Sequence, residues 1–218
     1  MSVTFLTENT EHIHYEDLNY ANTSIKFLKS MAPEKEAVIL YGAPVRHRSA
    51  RRPANLALGN IISGWPVLEL LFYGPYPEAT HERRNALNHA EVYNFVQTHE
   101  KLLEQHAPVA NVGIYYSKPT RLFYRQKTEE SESFDAAIKG METVLVENHI
   151  PYDFIPDNPL ITKERLQKYK VVILPNVRCM SKPEITVLQE YVREGGNILA
   201  TYATSLYDTE GKNYRITV

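Results

Sequence analysis

One cysteine, Cys179, in a chain of 218 residues excludes an intrachain disulfide and suits a reducing compartment, the cytoplasm. No run approaches the roughly 18 apolar residues that a membrane-crossing helix needs. The N-terminus, MSVTFLTENTEHIHYED, has no basic-then-apolar signal pattern. The expectation is a soluble cytoplasmic protein with no membrane partner. Net charge is scarce too: the formal value is −2, which provides no global field for a polyanion, so no nucleic-acid partner is expected. Phosphate-cradling glycine loops are missing, since neither GxGxxG nor GxxxxGKS occurs, and no HExxH helix is present. No cofactor and no metal are therefore expected.

What is there is an ordinary globular balance, 43% hydrophobic and 23% charged, with 15 tyrosines, more than a core alone calls for. Some of those tyrosines are expected at a cleft or an interface. No sequence repeat and no low-complexity segment stands out. Short apolar runs alternate with helical patterns almost throughout. VTFLTE (3–8) reads as a strand, NTSIKFLKSM (22–31) as a helix stopped by Pro33, and AVILYG (37–42) as the next strand. PANLALGNII (53–62) follows as a helix with proline at its start, then PVLELLFYG (66–74) as a third strand. A longer helix over 86–106 places Val92, Phe95, Val96, His99, Leu102, Leu103 and His106 on one stripe, ending at Pro108. His99 and His106 are seven residues apart on that stripe and read as packing residues.

From Asn111 the alternation restarts with fuller punctuation. NVGIYYS is a buried strand, and SKPTRLFYRQKTEES reads as a long polar and aromatic connection. A helix starts near Ser133 with Phe134, Ile138, Met141 and Leu145 on one face, YDFIP is a strand, and Thr162 caps KERLQKY. KVVILP is the third strand of this half. In SKPE, Ser181 and Glu184 form a capping box; Ile185, Leu188 and Val192 are expected to face the core, and Gly195 and Gly196 stop the helix before NILATY. Apolar strands alternating with helices predict parallel sheets covered on both faces. The boundary is expected at APVA, giving domains of 1–108 and 109–218. The first half supplies about three β-α steps, too few to close an eight-stranded barrel. The second supplies four strands, where doubly wound sheets have five or six, and so reads as unfinished.

The order NVGIYYS, VENHIPYDFI, YKVVILPN, then MSKPEITVLQEYVREGGNILATYATSLYDTEG, over about 111–210, resembles the beta-galactosidase trimerisation domain, which has a class I glutamine-amidotransferase-like fold. Residues 22–106, particularly SIKFLKSMAPEKEAVILYGAPVRHRS and PVLELLFYGPYPE, resemble the last strands and helices of the barrel in glycosyl hydrolases that carry this domain. Together the resemblances imply an α/β chain: a partial β/α-barrel-like segment, then a flavodoxin-like or amidotransferase-like doubly wound parallel sheet. They imply a fragment or relative of a multidomain glycoside hydrolase, beta-galactosidase-like, in which this chain has a non-catalytic oligomerising or sugar-contacting role and, if part of an enzyme, an incomplete catalytic pair. A homo-oligomer or a missing barrel segment is the partner implied. The alternatives are a small amidotransferase-like hydrolase using Cys179, or a carbohydrate- or anion-binding module.

Glycosidases of this kind use two carboxylates on different barrel strands. Glu8, ending VTFLTE, stands where a barrel places a catalytic group, at a strand's C-terminal end, and no second carboxylate accompanies it. Glu69 lies inside its strand instead. Arg46, His47 and Arg48 follow AVILYGAP at the same end; they either bind carboxylate, phosphate or sugar hydroxyls through forked hydrogen bonds or form a solvated loop. Tyr73 and Tyr76 join them as candidate substrate contacts. Arg121, Phe123, Tyr124 and Arg125 alternate cations with aromatics, a composition suited to a subunit interface or a cleft, or to a loop folded onto its own sheet. His12, His14 and Glu16 share one side of an extended segment, yet no third fixed ligand is assignable, so a polar loop is the expectation. Cys179 lies in NVRCMS, where bulky Arg178 and Met180 occupy positions that a nucleophile elbow gives to small residues. It reads as structural. The resemblance places the amidotransferase elbow later, near Ala203 and Thr204, neither of which can replace a cysteine.

Overall fold

Two parallel sheets, each carried by its own compact unit, organise the chain: Met1–Pro108 holds one and Val109–Val218 the other. The computed structural model describes residues 5–9, 20–31, 37–42, 68–72, 90–91, 94–104, 109–124, 133–157, 159 and 161–214. In the first unit β1 (Phe5–Asn9), β2 (Ala37–Gly42) and β3 (Leu68–Phe72) lie in sequential order, all parallel, with Phe5 opposite Ala37 and Val38 opposite Leu68. Helix α1 (Tyr20–Met31) connects β1 to β2. Sequential parallel order, with a helix in the one described crossover, is the grammar of a β/α barrel arc, as expected. β2 keeps the bounds read from the sequence; β1 runs one residue further, to Asn9, and the flanks read for β3 lie outside the described residues.

The stripe read over 86–106 fares differently. Residues 94–98 are helical, His99 is a turn, and α2 (Glu100–Glu104) follows. Leu102 is 75% exposed and Phe95 is also exposed. His99 is exposed as well, its Nδ1 2.8 Å from the Phe95 carbonyl and its ring 4.4 Å from the Phe95 ring. It therefore packs on its own helical turn and is no core histidine. The helix read at 53–62 and His106 lie outside the described residues.

In the second unit the strands β4 (Val112–Tyr116), β5 (Tyr152–Pro156), β6 (Val171–Leu174) and β7 (Asn197–Ala200) order as β5-β4-β6-β7, all parallel. This is the flavodoxin-like order 2-1-3-4. The crossovers run outward from the β4/β6 pair, so right-handed connections put α4 (Phe134–Glu147) and α6 (Lys182–Arg193) on opposite faces. The core gathers Ile114, Tyr115, Phe154, Ile155, Val172 and Ile173 from the strands, Phe134, Ile138 and Leu145 from α4, and Leu188 and Tyr191 from α6.

Helix starts follow local chemistry. Ser133 Oγ accepts the Ala136 N–H at the head of α4, and Thr162 Oγ1 accepts from Arg165 at the head of the short α5 (Lys163–Leu166). At α6, Ser181 and Glu184 exchange hydrogen bonds as a capping box, and Glu184 Oε1 also accepts from the buried Tyr115 hydroxyl at 2.8 Å. Gly195, at φ +95°, ends that helix where a side chain would be strained. Gly196 is required by contact: a Cβ there would lie 2.2 Å from the Tyr191 ring.

Two expectations need correction. SKPTRLFYRQKTEES is not a connection throughout, because Lys118–Tyr124 forms a helix, α3, started by Ser117, whose Oγ accepts the Thr120 N–H. On α6, Leu188 is buried, but Val192 is 46% exposed and Tyr191 takes the core position. The reason is the sheet edge. Among the described residues β7 has a strand on one side only, so Val192 and Ile198 border an open apolar groove and Leu199 is 48% exposed.

Candidate functional site

In a doubly wound sheet ligands gather at the C-terminal ends of the strands where the order reverses, here between β4 and β6. The segments that leave those strands are Ser117–Thr120 and Asn176–Met180. They close on each other. Ser117 Oγ donates to the Cys179 carbonyl at 2.9 Å, the Cys179 N–H donates to Thr120 Oγ1 at 2.9 Å, and the two hydroxyls are 2.8 Å apart. All three residues are buried. The crevice is thus filled by the chain's own hydroxyls and backbone. Burial, opposed by the Thr120 hydroxyl, pushes the Cys179 thiol above its ordinary range, so it is not an activated thiolate. Burial and a raised thiol accord with the structural reading of Cys179, and the geometry gives a Cys179 hydrolase no support.

Beside the crevice the Arg178 guanidinium lies between two rings, 4.5 Å from the Tyr124 centroid and 5.1 Å from that of Tyr202. Its Nε donates to Asn176 Oδ1 at 3.1 Å. Tyr124 packs in turn on Tyr207 with centroids 5.7 Å apart, and the Tyr214 hydroxyl donates to the Met180 carbonyl at 2.6 Å. Asn176, Tyr202 and Ser205 all have positive φ, 50°, 50° and 66°. Cross-links hold these turns: the Asn176 N–H donates to Thr201 Oγ1, and the Ser205 N–H donates to the Val177 carbonyl. A left-handed residue directly after a parallel strand is the backbone device that exposes a nucleophile in elbow folds. Tyr202, two residues past the end of β7 and one before Ala203, has a positive φ of 50°, and its ring, 70% exposed, lies on Arg178.

At the neighbouring strand end, Asp157 Oδ2 accepts the first N–H of α3, from Lys118, at 2.7 Å. Burial raises the Asp157 carboxyl above its usual range; the Lys118 N–H opposes the shift and the Glu184 charge adds to it. Tyr115 is held far above an ordinary phenol, by burial first and by Glu184 second.

The interface candidates divide. Arg121 is half-buried, its Nε 3.2 Å from Asp135 Oδ1. Phe123 is 45% exposed beside Leu122 at 77%, and Phe123 also borders Gly211. Tyr124 turns inward to Arg178 and Tyr207. Arg125, Arg46, His47, Arg48, Tyr73 and Tyr76, with His12, His14 and Glu16, lie outside the described residues. Glu8 is the penultimate residue of β1, opposite Leu40, and Glu69 is opposite Ile39 within β3. Among the described residues no group of three or more His, Cys, Asp and Glu can hold a metal, and no helix is long and apolar enough to cross a membrane.

The Arg178–Tyr124–Tyr202 stack was not legible in the sequence, because its three members come from segments about 54 and 24 residues apart and meet only through the sheet order. Helix α3 did leave a signal: SKPT at its start repeats the SKPE that starts α6.

Residues 110–215 match the family model of the Beta-galactosidase trimerisation domain. The resemblance read over 111–210 is borne out on nearly the same residues. Solved structures similar to the chain include the beta-galactosidase from Rahnella sp. R3, with TM-score 0.75, 14% identity, 99% of this chain and 35% of that one. The beta-galactosidase from Bacillus circulans sp. alkalophilus gives TM-score 0.74 and 15% identity over 97% of this chain and 34% of that one. A GH42 beta-galactosidase from G. stearothermophilus gives 0.71 and 17% over 98% and 34%. At such identities the likeness is one of fold. The chain spans about a third of the length of these structures. No curated protein matches it.

Proposed function

We propose that this chain is part of a multidomain glycoside hydrolase of the beta-galactosidase kind, with residues 1–108 contributing the last strands of its barrel and residues 109–218 joining copies together without catalysing. The observation that carries the reading is the match of residues 110–215 to a trimerisation domain whose switch-point crevice is closed by Ser117, Thr120 and Cys179. A domain built to assemble needs exposed apolar side chains on a rigid base. Leu122 and Phe123 supply them on α3, and the Arg178 stack behind Tyr124 holds that helix in place. In the same reading the sheet is an amidotransferase-like one with a tyrosine at the elbow. Glu8 is one member of the catalytic pair, Arg46, His47, Arg48, Tyr73 and Tyr76 contact sugar at the barrel mouth, and the buried thiol fits a cytoplasmic protein.

Sedimentation equilibrium of the full chain tests the assembly. The expected result is an oligomer at micromolar concentration that Leu122→Asp with Phe123→Asp dissociates, while circular dichroism stays unchanged. A folded monomer before any substitution would overturn the proposal.

A further inference from the structure

We draw no further inference here: the strongest candidate, the apolar groove of about 480 Å³ that Leu174, Met180, Leu188, Val192 and Ile198 line beside the open edge of β7, carries nothing because nothing in the structure shows what covers it.

Discussion

Asp157 is a carboxylate whose two duties conflict: it accepts the first N–H of α3, which favours charge, and it is half-buried, which opposes charge. Burial wins, so the folded state holds the proton more tightly than the unfolded chain. Stability from that group is fully present below the ordinary carboxylate pKa and is lost as pH rises through the higher folded value. Asp157→Asn keeps an acceptor and removes the charge. It is expected to match or exceed the parent in urea midpoint at neutral pH, with the difference vanishing in acid; Asp157→Ala, which orphans the Lys118 N–H, should cost about 1 kcal/mol at both. A parent and Asn variant with identical pH profiles would refute the argument. Cys179 offers a second test. Alkylation by iodoacetamide at neutral pH should be slow in the native chain and become rapid only in denaturant, because burial lowers both access and thiolate content.

Helix α6 shows what one element owes to its ends. Ser181→Ala removes a hydroxyl that caps Glu184 and loosens the carboxylate that also receives Tyr115, so about 1 kcal/mol of stability should go. Gly196→Ala drives a methyl into the Tyr191 ring, whose hydroxyl is anchored on the Tyr169 carbonyl at 2.9 Å. The ring has little room to retreat, and overpacking of that kind costs about 1–3 kcal/mol, read as a lower urea midpoint at unchanged slope. Both ends of α6 were legible because caps and glycine stops depend on neighbours in the chain. Its faces were only half legible: periodicity selects Leu188 correctly but cannot tell Tyr191 from Val192, since which flank is covered depends on what lies past β7. Helix α3 was missed for another reason. Its seven residues are too few to show a period, and a proline among polar residues at its start reads as a loop.

For the whole molecule, the two sheets were legible as kinds because strand order follows from how crossovers accumulate. Sequential order 1-2-3 continues a barrel arc, and the reversal at β4 makes a doubly wound sheet. The crevice that the reversal creates was not legible as closed. That depends on Ser117 and Thr120 reaching Cys179 across about 60 residues of sequence, a contact only the fold creates. The side of β7 that has no strand among the described residues bears on motion as well as on packing. A strand flanked on both sides opens only with the whole sheet, whereas one held along a single edge can peel away alone. Hydrogen–deuterium exchange followed by mass spectrometry should therefore find the amides of β4 and β6 slow and those of β7 fastest, because β5, the other strand held along one edge, is mostly buried whereas β7 is mostly exposed. Equal protection across the sheet would mean that β7 has gained a neighbour in solution; a steep gradient would make β7 the place where this half of the molecule begins to unravel.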